Sequence, residues 1–291
     1  MMSRAAVASS LDWNGATGGA GSRTRTGWTG CWSPMTRPWR APPRRPWGTV
    51  CWTSAAGPGR RLSTWPRVGP SGRVVGLDIS APLIGRALNL TASQGGKAVE
   101  VRLADAAQAT FTPAFDRIVS RFGVMFFDDA VAAFANLRRA LKPDGRLVFV
   151  CWRGAAENDW TRLPMAAIRD FVPAPAPDDP EAPGPFSFGE RDRIARILID
   201  AGYADIDIRP FDSPVQFGVG GTADAALDDA VDHAIRVGPL ERALRGVSDA
   251  VRTQALAKVR LAFAGKVRPD GVWIDGAAWI VSARHTPVRP S

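Results

Sequence analysis

Two aspartates stand at the ends of successive predicted strands, where carboxylates can bind a nucleoside. Asp78 ends the β-branched segment at 72–78, and Asp105 ends the alternating segment at 98–105. The first can accept hydrogen bonds from both ribose hydroxyls. The second can accept one from an adenine amino group while Ala106 presents its backbone N–H to the ring. Each aspartate alone could be a helix N-cap, but two on the carboxyl edge of one sheet favour a nucleoside site.

Other residues that could do chemistry are sparse and have plainer interpretations. His233 is interpreted as a solvated helix residue rather than a general base, and Cys151 as a small buried hydrophobe. Four residues could wall a substrate pocket, although core packing explains them at least as well: Phe122, Met125, Phe126 and Trp152. The three cysteines form neither a disulfide framework nor a zinc pattern. The sequence therefore predicts no metal site and a reducing, cytoplasmic setting.

The elements that position the two aspartates alternate between strand and helix. Strands are predicted at 72–78, 98–105, 146–152, 205–211 and 277–284, and a buried strand that runs into a loop at 115–127. Helices are predicted at 81–96, 129–141 and 190–202, with two or three more across 222–266. Ser187 and Glu190 suit a capping box for the third helix. This alternation predicts an α/β fold with a doubly wound, mostly parallel sheet.

The charge of the chain is concentrated in one segment. The 291 residues carry a net charge of +9, and no apolar run is long enough to span a membrane. Residues 21–66 contain eight Arg and no Lys, Asp or Glu, together with six of the eleven Trp and seven of the 24 Pro. Because this segment supplies almost all of the net charge, a nucleic-acid partner is not favoured for the rest of the chain.

Three interpretations of residues 21–66 remain open. The segment could be a disordered basic tail that binds nucleic acid or lipid, or an unusual globular piece. It could also be translated out of frame, with a one-base slip near Ala20–Gly21 and the frame restored near 66–68. In the shifted frame, the codons of Cys51 and Trp52 must give Leu, and those of Trp52 and Thr53 must give Asp. The codons through Gly59 can then read V-L-D-V-G-C-G-T-G, and we favour this third interpretation.

Several motifs together resemble a known family. They are "VVGLDIS", "RLADAAQATF", "FDRIVSRFGVMFFDD", "FANLRRALKPDGRLVFVCW" and "GERDRIARILIDAGYADIDIRPF". The chain resembles class I S-adenosylmethionine-dependent methyltransferases, in the ubiquinone/menaquinone-biosynthesis-like (methyltransferase type 11-like) group, over about residues 67–212 and the last strand. The family's cofactor loop, hydrophobic–Asp–hydrophobic–Gly–x–Gly–x–Gly, should fall about twenty residues before Asp78, where the shifted frame reads V-L-D-V-G-C-G-T-G.

The resemblance implies a site for S-adenosylmethionine. Its cofactor-binding residues would be Asp78 and Ile79, Asp105 and Ala106, Ser120 and Arg121, and Gly57 and Gly59. Asp78 would bind the ribose, Asp105 and Ala106 the adenine, and Ser120 and Arg121 would line the pocket. The two glycines lie near the position of the glycine loop, but the sequence as written shows no strand before them.

The resemblance also implies a domain plan. Residues 1–20 would be an N-terminal segment, 21–66 would replace the first strand and the glycine loop, and 67–291 would be a Rossmann-like methyltransferase domain with a seven-stranded sheet. The last strand would be antiparallel, between those at 146–152 and 205–211. An α-helical insertion at about 213–270 would cap the active site and select the substrate.

The implied reaction is methyl transfer to a small-molecule acceptor by in-line displacement, without a metal and without a membrane partner. The loss of the glycine loop could impair it, and no catalytic base and no oligomeric state is indicated. One alternative is a nicotinamide-dependent dehydrogenase, although no G-x-G-x-x-G follows a strand in either frame. Another is a basic protein that binds nucleic acid through residues 21–66.

Overall fold

The structure is a computed structural model that describes residues 47–54, 68–93, 99–112, 115–173 and 179–285. The strands are β1 (Trp47–Ser54), β2 (Val68–Asp78), β3 (Val99–Leu103), β4 (Phe115–Arg121), β5 (Leu141–Trp152), β6 (Ala204–Gly218), β7 (Val267–Arg268) and β8 (Gly271–Arg284). The helices are α1 (Ala81–Ser93), α2 (Ala130–Ala140), α3 (Asp159–Ile168), α4 (Arg191–Asp200), α5 (Ala223–Val237), α6 (Leu240–Ala243) and α7 (Asp249–Ala264). Short 3₁₀ turns lie at Val124–Phe126 and Ala155–Glu157.

The strands form one mixed, mostly parallel sheet in the order β3-β2-β1-β4-β5-β8-β6. Strands β1 to β5 pair in parallel, and β8 lies antiparallel between β5 and β6. This confirms the predicted α/β fold and the direction and place of the last strand. The path has seven strands, and the two-residue β7 pairs with β8 beside it.

The central strand β1 corrects one expectation. The sequence shows no strand signal before Gly57, and residues 21–66 were expected to replace the first strand. In the structure, residues 47–54 pair with β2 on one side and with β4 on the other. Their run "TVCWT" suits a strand because β-branched and aromatic residues are favoured there. Residues 47–54 therefore occupy the place of the first strand.

One face of the sheet packs against α2. Alternate residues of β5 point to that face, and Leu147, Phe149 and Cys151 are all fully buried there. The ring of Phe149 contacts Phe134 of α2 at a centroid distance of 5.4 Å. The buried side of α2 repeats at helical spacing, as the sequence predicted. The capping-box prediction for α4 is wrong, because its N-cap is Glu190 without a side-chain cap.

Strands β6 and β8 continue past the end of β5 as a two-stranded ribbon. The pairing of β5 with β8 ends at Trp152 and Ala278, whereas β6 and β8 stay paired as far as Gly218 and Val272. Six further residues of β8, from Ala277 to Val272, extend about 20 Å beyond the carboxyl edge at the usual strand spacing. The helices α5 to α7 follow this ribbon, within the insertion predicted at about 213–270.

Asn158 joins the start of α3 to this ribbon. The Asn158 side chain is fully buried, accepts a hydrogen bond from the Ala277 N–H at 2.9 Å and donates to the Ala277 carbonyl at 3.1 Å. The next residue, Asp159, accepts from the Asp275 N–H at 3.1 Å and pairs with Lys266 at 2.9 Å. Two side chains thus bond to the backbone of β8 beyond the end of its pairing with β5, and they connect the insertion to the start of α3.

Candidate functional site

The carboxyl ends of four adjacent strands bring the predicted site residues to one edge. In the sheet register, Thr53 of β1 lies between Leu77 of β2 and Ser120 of β4. Leu77 and Ser120 are two strands apart, or about 10 Å at the usual strand spacing. Asp78 follows Leu77 and pairs with Leu103 at the end of β3. The structure therefore places the residues expected to bind ribose and adenine, and those expected to line the pocket, along about 15 Å of one edge.

Asp78 is a half-buried carboxylate with an unusual proton affinity. Its Oδ1 accepts a hydrogen bond from the Ser80 N–H at 2.8 Å. Burial raises the pKa of Asp78 from 3.8 to about 7, although that hydrogen bond opposes the rise. Helix α1 starts at Ala81 and its first bond goes from Ile84 N–H to the Ser80 carbonyl, so Asp78 is not its N-cap. The capping alternative is excluded for this residue.

Asp105 organises a tight loop directly after β3. Its Oδ1 accepts from the Ala107 N–H at 2.9 Å, and its carbonyl accepts from the N–H groups of Gln108 and Ala109 at 3.1 and 2.8 Å. No helix follows in the described stretch 106–112, so Asp105 is not an N-cap either. The loop is joined to β2 by a bond of 3.0 Å from the Ala104 N–H to the Asp78 carbonyl.

The backbone N–H of Ala106 is a donor available to a ligand. The N–H groups of residues 107 to 109 all donate to Asp105, whereas that of Ala106 donates to no group among the described residues. Ala106 is also buried, and a buried unpaired N–H is costly unless something accepts from it. A ring nitrogen acceptor, such as those of adenine, fits this position.

The end of β4 provides a second unsatisfied donor. The Ser120 hydroxyl is fully buried and has no hydrogen-bond partner in the described part of the protein. Arg121 beside it is 8% exposed, and Phe122 follows with a left-handed backbone, φ 55°. Such a conformation is uncommon for a bulky residue and is often found at functional sites.

Apolar side chains lie open beside the two aspartates. Ile79 is 64% exposed directly after Asp78, and Leu103 is 58% exposed two residues before Asp105. Large exposed aliphatic side chains at the same edge offer contact to the faces of a planar ring. Together with the two unsatisfied donors, these residues fit a nucleoside. Gly57 and Gly59 lie outside the described residues.

The solvated interpretation of His233 is wrong, and the structure favours core packing for most of the residues that could wall a pocket. His233 is buried rather than solvated, stacks on Phe217 and donates from Nδ1 to the Phe217 carbonyl at 3.0 Å. Burial lowers the pKa of His233 to about 4, so the ring is neutral near pH 7. Phe122 and Trp152 stack at 3.9 Å and are buried with Met125, which favours core packing, whereas Phe126 is only partly buried.

Sequence reasoning missed one residue that contacts this site. The Asn136 side chain on α2 donates to the carbonyls of Ala106 and Ala109, at 3.2 and 2.9 Å. Its partners lie about thirty positions earlier, so no local pattern indicates it. A polar residue directly before the buried Leu137 was the one available signal.

Two absences hold for the described ranges. None of their helices combines the length and hydrophobicity that a bilayer crossing requires. No group of three or more His, Cys, Asp or Glu side chains in the same ranges is arranged to hold a metal ion.

Comparison with known proteins places the same residues in a family context. Residues 53–149 match the family model described as "Methyltransferase domain". This match spans Gly57 and Gly59, Asp78, and the loop that begins at Asp105. It covers β2 to β4 and most of β5, which are the elements that carry the site.

Two curated relatives align with part of the chain. Nocamycin O-methyltransferase of Saccharothrix syringae is 30% identical over 152 residues, which are 48% of this chain and 53% of the relative. An uncharacterised 37.1 kDa protein in transposon TN4556 of Streptomyces fradiae is 28% identical over 201 residues, 63% of this chain and 52% of the relative. The chain thus spans about half the length of the curated relatives it matches.

Solved structures share the fold at low identity. The YcgJ protein of Bacillus subtilis superposes with a TM-score of 0.54 at 16% identity, covering 88% of this chain and 98% of that one. A Bacillus halodurans protein provisionally described as a methyltransferase gives 0.51 at 16% identity, covering 84% and 95%. At these identities, the likeness establishes a common fold.

Proposed function

We propose that this chain, which carries a class I S-adenosylmethionine-dependent methyltransferase domain, binds S-adenosylmethionine at the carboxyl edge of β2 to β4 and transfers its methyl group to a small-molecule acceptor. The observation that carries the proposal is the convergence of Asp78 with the Asp105 loop, beside two buried donors that have no hydrogen-bond partner among the described residues. The family match over residues 53–149 supports it.

We propose that different residues of this edge bind the ribose and the adenine of the cofactor. The Asp78 carboxylate accepts from the ribose hydroxyls, and such charge-assisted hydrogen bonds are the strong ones. Asp105 accepts from the adenine amino group while the Ala106 N–H donates to a ring nitrogen. Ile79 covers one face of the base, and Ser120 and Arg121 line the pocket at the end of β4. Gly57 and Gly59 are proposed for the loop between β1 and β2.

The bound cofactor supplies a methyl group on a positively charged sulfur, which is already a good leaving group. The protein then contributes mainly orientation and the exclusion of water. We propose that α5 to α7 cap the acceptor side, because the ribbon that carries them rises above the same carboxyl edge. His233, which is neutral and buried within this insertion, is not proposed as a base.

We also propose that residues 21–66 are read out of frame, in whole or in part. The composition of the segment and the forced Leu–Asp pair support this, and β1 ends at Ser54, directly before the place of the glycine loop. Resequencing the coding DNA across codons 18–70 tests it. A compensated pair of single-base changes near codons 21 and 67 would support the proposal, and DNA that matches the sequence as written would refute it.

Calorimetric titration of the protein with S-adenosylhomocysteine tests the cofactor proposal. We expect S-adenosylhomocysteine to bind at a single site, where it competes with S-adenosylmethionine. Binding should be tighter after the reading frame is corrected. Titration with NADH and NADPH tests the dehydrogenase alternative, and salt-dependent DNA binding tests the basic-protein alternative. Failure of both forms of the protein to bind either S-adenosyl ligand would overturn the proposal.

The acceptor can then be sought with radiolabelled S-adenosylmethionine. Because one relative is named as the O-methyltransferase of nocamycin, small hydroxylated compounds are the first acceptors to test. Transfer of label to an oxygen of such a compound would identify the substrate class. Transfer only to protein or to nucleic acid would refute a small-molecule acceptor.

A further inference from the structure

We infer that Asn136 is a positioning residue that makes the site selective for adenine over other purines. The inference rests on the proposed function, because it assigns a role to the Asp105 loop in reading the base. Asn136 itself lies on α2, about thirty positions along the chain from that loop, and its side chain donates to two backbone carbonyls of the loop.

The orientation of the Asn136 amide is set by its neighbours. Its nitrogen lies 3.2 and 2.9 Å from the carbonyls of Ala106 and Ala109, which can only accept hydrogen bonds. Its oxygen lies 3.1 Å from the guanidinium of Arg139, which can only donate. All three partners therefore require the same orientation of the amide.

The peptide group between Ala106 and Ala107 is held at both ends. Its carbonyl accepts from Asn136, and its N–H donates to the Asp105 carboxylate at 2.9 Å. A shift of this peptide would turn the carboxylate that it binds. Asn136 is thus connected to Asp105 through a single rigid peptide unit.

The same contacts fix the backbone that presents the Ala106 N–H. The loop turns within five residues, because the N–H groups of Gln108 and Ala109 both donate to the Asp105 carbonyl. Asn136 holds the same loop from α2 by donating to the carbonyls of Ala106 and Ala109. The donor at Ala106 and the acceptor at Asp105 are therefore held as one unit, which matches the acceptor and donor on the edge of adenine.

Base selectivity is the measurement that distinguishes positioning from general stability. S-inosylhomocysteine carries an oxygen in place of the adenine amino group and a protonated ring nitrogen beside it, so both hydrogen bonds are mismatched. We expect the wild-type chain to prefer S-adenosylhomocysteine by on the order of 100-fold in Kd. Asn136→Ala should reduce this preference to about 10-fold or less, mainly by weakening the adenosyl ligand.

Two companion variants make the result specific. Asn136→Asp places an oxygen against both loop carbonyls, and we expect at least as large a loss of selectivity. Ala133→Gly destabilises the same helix by removing a buried methyl group and adding backbone freedom. This control should lower Tm while leaving the ratio of the two Kd values unchanged.

The possible failures can be told apart. If neither the chain as written nor the frame-corrected protein binds either ligand, both the proposed function and the role of Asn136 are overturned. If only the frame-corrected protein binds, the variants are made in that form. If the wild-type chain discriminates and Asn136→Ala discriminates equally, the role of Asn136 alone is overturned. A parallel fall in both affinities, with the ratio preserved, would likewise show that Asn136 only supports the fold.

Discussion

Replacing Asp78 by asparagine should stabilise the ligand-free protein at alkaline pH while it weakens nucleoside binding. The asparagine oxygen can still accept from the Ser80 N–H, so the local turn is kept. The change removes the cost of ionising a half-buried carboxyl group. Stability and affinity should therefore move in opposite directions, as is common for groups selected for function.

The magnitude follows from the proton affinity of the carboxyl group. Burial raises the pKa of Asp78 from 3.8 to about 7. The folded state keeps a proton that the unfolded chain releases between these values, so the stability of the wild-type protein falls as the pH rises through that window. The full shift corresponds to on the order of 4 kcal/mol, and partial solvent access makes this an upper value.

Urea unfolding of both proteins at several pH values measures this effect. The advantage of Asp78→Asn should grow by about 2 kcal/mol between about pH 5 and about pH 8, and should level off above the pKa of Asp78. Asp170→Asn, which removes an equal charge from an exposed position, is the matched control. An advantage that stays constant with pH would refute the reasoning about burial.

The binding arm of the same experiment tests the assigned role. Asp78→Asn should weaken S-adenosylhomocysteine by about tenfold or more at about pH 8, because a charged acceptor for two hydroxyls becomes a neutral one. Wild-type affinity should also fall below about pH 7, where the Asp78 carboxyl takes up a proton in the free protein. Equal affinity of the two proteins would show that Asp78 does not contact the ribose.

Three further substitutions probe other parts of the structure, each by urea unfolding. Ser120→Ala should leave the free energy of unfolding unchanged or raise it by about 1 kcal/mol, because the buried hydroxyl has no partner among the described residues; a loss above about 1 kcal/mol would contradict this. Asn158→Ala should lower it by about 3 kcal/mol, since both hydrogen bonds to Ala277 are lost in a buried place, and a cost below about 1 kcal/mol would contradict the proposed tie. Lys266→Met should lower it by about 1 to 2 kcal/mol near pH 7, because Asp159 loses a cation. That cost should shrink in acid, since these contacts lower the pKa of Asp159 and their contribution disappears as it protonates.

The elements that the sequence predicted best are those whose signal is local. Helix α2 shows its buried side as a helical repeat, and β2 and β3 show runs of β-branched or alternating residues. An acid ends β2, and another follows β3 two residues after its end. Their order along the chain then determines a parallel sheet with both acids at one edge. Asp78 and Asp105 could therefore be identified before their contacts were known.

The features that the sequence did not predict depend on distant partners. Strand β1 lies in a segment whose unusual Arg and Trp content gave no clear strand pattern. Its place in the sheet follows from pairing with β2 and β4. His233 was interpreted as a solvated residue because it lies in the predicted insertion, yet it faces Phe217 near the end of β6. Asn158 meets a strand 119 positions later, which no periodicity can show.

The place of β1 also decides which property of the protein reports its reading frame. The codons of residues 50–53 encode Val-Cys-Trp-Thr as written and a hydrophobic–Leu–Asp run in the shifted frame, and the apolar residues of either reading suit a buried parallel strand. Stability of the sheet is therefore expected to differ little between the two products at this position. The residues directly after the strand differ in their glycines, which a close approach of backbone to ligand requires. Affinity for S-adenosylhomocysteine, rather than Tm, is thus the measurement that distinguishes the frame-corrected protein from the chain as written.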